Sequence, residues 1–186
     1  MKKVMYSSLA VCLVAAISVG VIFAGSGCTI TEDQAKVIAN QAGKYATLGW
    51  IMIENPTLEV KTAVKNIVVI IKDSAESVSV DKTYTEVLLP IIIKDVISEI
   101  PAKLQTICMA GTITILGGLD VMFAYHPDWK QDSQKAIALV GEFCDGVSEA
   151  LTLDESSPVY QAAMKSAMIR SKLNSNKKEF IASFQK

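Results

Sequence analysis

The chain has 186 residues, with 18 Lys plus Arg against 19 Asp plus Glu and one histidine, a formal charge of −1. It has no basic stripe, block of like charge or low-complexity tract, so nucleic acid is not an expected partner. Half of its residues are apolar (51%), enough to build one sizeable core, and no internal repeat of convincing period is present.

Lys2 and Lys3 open the chain, and residues 4–27 then carry no charge. Leu9 to Ala24 is almost entirely apolar and is followed by small residues, the order of a secretory signal. The closing GSGC resembles the lipobox of bacterial lipoprotein precursors, an aliphatic residue and two small residues before a cysteine. Ser26, Gly27 and Cys28 match, and Gly25 stands where the family usually has leucine. The resemblance implies that residues 1–27 are removed and that acyl chains such as palmitate are attached at Cys28. Residues 28–186 are then a single domain tethered to a membrane; two or more chains anchor stably, whereas one is marginal. Thr29 is not the aspartate that retains such lipoproteins at the inner membrane. The resemblance therefore implies the outer membrane, facing the periplasm, for a protein of a bacterium or bacteriophage. Two alternatives are plain cleavage with secretion and an uncleaved anchor, since ~20 apolar residues span a bilayer. Each places the remainder outside the cytoplasm, with a charge of −3 because the leader holds two of the 18 basic residues.

The remainder reads as six helical segments punctuated by prolines, an all-α up-and-down bundle of five or six helices. Thr31 with Gln34 forms a capping box. Within the helix it starts, Ala35, Ala39, Ala42, Ala46 and Gly49 recur at steps of four and three. Five small residues thus share one face, where a neighbouring backbone can approach closely. The face is read as internal packing, with a self-association seam as the alternative. Asn55 as N-cap and Pro56 as first helical residue start the second segment, whose inward face is Val60, Val64, Ile67, Val68 and Ile71. Its β-branched run at 67–71 also suits a buried strand. Residues 74–82 read as a loop.

Thr83 with Glu86 forms another capping box, and Pro90 inside the segment that follows predicts a kink or break. Pro101 opens the fourth segment, with Leu104, Cys108, Gly111, Ile115, Gly118 and Met122 on one face. Pro127 ends it by biasing His126 away from helical geometry. The fifth carries a clear apolar stripe: Ala136, Ile137, Val140, Phe143, Cys144, Val147 and Leu151. Ser157 and Pro158 start the sixth, and Phe180 and Phe184 in the tail are read as folding onto the core.

If the fourth and fifth segments form an antiparallel hairpin turning near Pro127, Cys108 lies 19 residues before the turn and Cys144 17 after it. The axial offset is then roughly 3 Å, near enough for a disulfide if the Cα atoms come within about 4.4–6.8 Å. An oxidising periplasm would preserve the bond, and closing such a loop is worth ~3–4 kcal/mol in the chain-entropy picture. Two buried free thiols are the alternative. A rival topology makes residues 104–125 a second membrane span, although the charge-free stretch stops at Asp120, short of ~18–20 residues.

No HExxH, CxxC, GxSxG or P-loop pattern occurs in the body, and one histidine with two separated cysteines is a poor metal set. His126 in YHPDW, with Asp128 two residues on, reads as turn structure. The carboxylate pairs Asp73/Glu76, Asp95/Glu99 and Glu142/Asp145 read as solvated helix faces. Asp120, set between Leu119 and Val121, needs a partner or a raised pKa if buried, and is read as facing outward near the helix end. The sequence thus points to a non-enzymatic structural or interaction lipoprotein with no cofactor and no metal, its partner an unidentified envelope protein. A carrier of an apolar ligand or lipid is the alternative, motivated by the abundance of Ile, Val, Met and Gly.

Overall fold

The computed structural model describes residues 30–153. They form an all-α bundle of six helices: α1 Glu32–Glu54, α2 Leu58–Asp73, α3 Tyr84–Asp95, α4 Ala102–Tyr125, α5 Pro127–Gln131 and α6 Ser133–Thr152. Short 3₁₀ turns lie at Ala75–Ser77 and Ile97–Glu99, and there is no strand among the described residues. The leader, Cys28, the segment expected from Pro158, and Phe180 and Phe184 lie outside the described residues.

Both capping boxes form. Thr31 Oγ1 accepts from Gln34 N at 3.3 Å while Gln34 Oε1 accepts from Thr31 N at 2.9 Å. Thr83 and Glu86 make the same reciprocal pair at 3.1 and 2.9 Å. Each places a polar oxygen on amide protons that have no partner within the first turn. The α1–α2 corner differs from the expectation. Asn55 is left-handed (φ 43°, ψ 58°) and ends α1, its N–H donating to Ile51 O at 2.9 Å, and Thr57, not Asn55, caps α2. Asparagine serves either end because it tolerates the left-handed region better than most residues. The run 67–71 is helical, as the exposure of Val69 (54%) beside buried Ile67, Val68 and Ile71 demonstrates. α3 runs through Pro90 and stops at Val96. Pro90 is exposed, on a side of the helix where the carbonyl it leaves unpaired is open to water.

The four long helices do not pack in chain order. α6 packs most extensively on α1, α1 also packs on α4, and α2 packs on both α4 and α6. The result is a ring in the order α1, α4, α2, α6, with α3 outside on α4. Consecutive helices α1 and α2 face each other across the diagonal with little contact, and α4 and α6 barely meet. Lys44 pairs with Glu149 at 3.0 Å, and Glu32 lies in electrostatic reach of Lys135, so α1 and α6 run parallel. Trp50 faces Gly111 and Ala46 faces Gly118, so α1 and α4 run antiparallel.

Close backbone approach drives the α1–α6 contact. A Cβ on Gly43 would collide with the carbonyl oxygen of Phe143, and one on Gly146 with that of Asn40. Around this reciprocal glycine pair, Ala35, Ala39, Ala42 and Ala46 are buried and Gly49 is half-buried. The small-residue face is therefore internal packing. On the other side of α1 the Trp50 indole lies over Gly111, with ring carbons 2.8 Å from where a Cβ would stand.

Cys108 and Cys144 are both buried and are free thiols; the expected bridge between them is not formed. The hairpin on which it depended is absent, because α4 and α6 occupy opposite corners of the ring. The two sulfurs also sit at different heights. Gly118 of α4 faces Phe143, the neighbour of Cys144, and Cys108 lies ten residues earlier on α4, about 15 Å along the helix.

The predicted inward face of α4, from Leu104 to Met122, is buried throughout. At 24 residues α4 is long and apolar enough to cross a membrane, and 61% of its most apolar stretch is buried inside the bundle. Thr112 and Thr114, both buried in α4, satisfy their hydroxyls on the carbonyls of Cys108 and Ala110 at 2.9 Å.

Candidate functional site

Polar and aromatic groups concentrate at the end of the bundle where α1 and α6 begin, α4 finishes and α3 starts. Asp120 organises this end. Its Oδ1 accepts from Tyr84 N at 2.6 Å and its Oδ2 from Thr85 N at 3.1 Å. With Thr83 and Glu86 already bonded reciprocally, the first-turn donors of α3 are satisfied by two separate carboxylates and the Thr83 hydroxyl. The negative charge also lies at the favourable end of the helix dipole. Asp120 therefore faces a helix terminus rather than open solvent.

Beside it, Tyr84 stacks on Phe123 with centroids 5.5 Å apart, and the Lys130 ammonium lies 5.3 Å from the Tyr84 ring centre. Burial, reinforced by the Asp120 charge, pushes the Tyr84 phenol up to about 12. Lys130 also donates to the carbonyl of Lys82, tying α5 to the loop before α3. Pro127 starts α5 at its first position, where no amide proton is needed. The turn carries His126 flat onto the buried Trp129 at 3.9 Å, and Lys135 lies 5.6 Å from the centre of the Trp129 ring. Burial lowers the His126 pKa, and the Asp128 carboxylate opposes this only in part. The ring is thus neutral and stacked at neutral pH. In the sequence its parts were legible singly, as the YHPDW turn, Asp120 and the Thr83–Glu86 capping box, but their assembly was not, because they come from separate elements.

A second feature is an open cleft of about 380 Å³ between α1 and α6, lined by Asp33, Lys36, Val37, Asn40, Gln41 and Glu142. Its one ammonium is held by Glu32 at 2.8 Å, which raises the Lys36 pKa and lowers that of Glu32. Carboxylates, amides and one paired cation suit a polar partner surface, and this lining is a poor match for an apolar ligand. Of the carboxylate pairs singled out in the sequence, Glu142 lines this cleft and Asp145 holds Lys72 at 2.8 Å.

No family model, curated protein or solved structure matches this chain. Its role has to be read from its own residues.

Proposed function

We propose that the chain is the precursor of a lipoprotein whose leader, residues 1–27, is removed and whose Cys28 is acylated. The mature protein is a non-enzymatic helical module held at the cell envelope, facing the periplasm, and it engages another envelope protein through its surface. The observation that carries this reading is the uncharged run 4–27 ending in GSGC. A fold that begins at once after it supports the same reading. The capping box at Thr31 starts α1 only three residues past Cys28, leaving little chain between the proposed lipid and the bundle. The outer membrane is the destination suggested by Thr29, and the mixed charge of the α1–α6 cleft favours a polar protein face as the partner.

Intact-mass measurement on the membrane-extracted protein, beside a Cys28→Ser variant, tests the reading. Loss of residues 1–27 with added acyl mass is expected for the natural chain, and loss of the acyl mass for the variant. A polypeptide that still begins at Met1, or one that begins at an unmodified Cys28, would overturn it.

A further inference from the structure

The proposed tether is short, and this fixes which end of the bundle can meet the membrane. Three residue steps separate Cys28 from Thr31, a reach of about 10–11 Å even when fully extended. Thr31 is immobilised as the N-cap of α1. The first turn of α1 therefore cannot rise far above the acyl chains, and whatever surrounds that turn lies at headgroup level.

The surroundings are fixed by contacts. Glu32 lies in electrostatic reach of Lys135 and Asp132 at the start of α6. Lys135 sits over Trp129, Trp129 under His126, and Lys130 over Tyr84 and against the carbonyl of Lys82. Tyr125, at the end of α4, is 56% exposed on the same end. The corner built on Asp120 and the first turn of α1 thus form one continuous end of the bundle. Its chemistry is that of an interfacial surface: an exposed tyrosine, and lysines interleaved with Asp128, Asp132, Glu32 and Asp33. Such alternation of sign complements headgroups that carry both charges, whereas a strongly anionic surface would demand an excess of lysine.

Resting on the tether proposed above, we propose that this end of the bundle stands on the lipid headgroup layer, with Tyr125, Lys82, Lys130 and Lys135 against it and the α1–α2 corner pointing away. The two tryptophans of the chain lie at opposite ends and report the orientation. Trp129 belongs to the membrane-side corner, and Trp50 lies about 27 Å further along α1 from Glu32.

The test uses the full acylated protein in vesicles of phosphatidylethanolamine containing a dansyl-headgroup lipid. Energy transfer from Trp129, measured in a Trp50→Phe variant, is expected to exceed that from Trp50, measured in Trp129→Phe, severalfold. Circular dichroism checks that both variants fold. The unsubstituted protein gives an independent reading through amine labelling. Moving from detergent to vesicles should slow modification of Lys82 and Lys130 severalfold while leaving Lys65 and Lys103 unchanged. Equal transfer from the two tryptophans, or protection of Lys65 and Lys103 instead, overturns the orientation while the measured acyl mass leaves the tether standing. A bare Cys28 overturns both.

Discussion

Gly43, Gly146 and Gly141 are three glycines on the helices of one interface, yet they stand in different circumstances. The first two face a partner carbonyl that leaves no room for a methyl group, whereas a Cβ on Gly141 would meet only the end of the Lys72 side chain at 3.7 Å. Gly43→Ala and Gly146→Ala must push α1 and α6 apart and are expected to cost about 1–3 kcal/mol. Gly141→Ala only reduces the freedom of the unfolded chain and should stabilise by about 0.4–1 kcal/mol. Urea unfolding of the three variants checks the opposite signs. A Gly43→Ala protein as stable as the parent would show that the backbones are not in contact. In the sequence all three glycines look alike, because the deciding atom lies on another helix. Ala35 to Ala46 were legible as a packing face because their spacing is a property of α1 alone. Asp120 lay between these cases. Its need for a partner was visible, but its partners at Tyr84 and Thr85 lie more than thirty residues away.

At the level of helices, the starts were easier to read than the neighbours. Thr31–Gln34 and Thr83–Glu86 specify their first turns through contacts three residues apart, so they survive into the structure unchanged. Pairing of helices follows shape, and the assumption that α4 and α6 pack as a hairpin failed because α1 and α2 stand between them at the other two corners. Cys108 and Cys144 carry the consequence. Burial raises both thiol pKa values, that of Cys144 to about 12, and the thiolate is the reactive form. The folded body is therefore expected to take up no alkylating reagent at these two positions at neutral pH, and both should react once denatured without reductant. Peptide mapping after pulse alkylation measures this, and a pair that reacts only after reduction would mean the bridge exists after all.

For the molecule as a whole, the same buried groups make stability depend on alkaline pH. Cys144 and Tyr84 ionise at ordinary values of 9 and 10 when unfolded and at about 12 when folded. The folded state therefore holds protons that the unfolded chain releases. Stability is full below about pH 9 and declines as pH rises toward 12, each group adding a slope of about 1.4 kcal/mol per pH unit. Urea unfolding at about pH 8 and about pH 10.5 should differ by about 3 kcal/mol, and Cys144→Ala should remove the larger part of that difference. A flat profile would contradict the burial of both groups.

The parallel seam between α1 and α6 has a further consequence for how the protein comes into being. Its mated positions are about a hundred residues apart, as Lys44 and Glu149 are, with a separation of 105. A chain delivered N-terminus first, from a ribosome or through a secretion pore, presents α1 long before the strip it must grip. Until then α1 has only α4 to close upon, through Trp50 on Gly111 and Ala46 on Gly118, and non-local pairing of the α1–α6 kind is slow to form. Closure of the α1–α6 seam thus waits on the arrival of the trailing half.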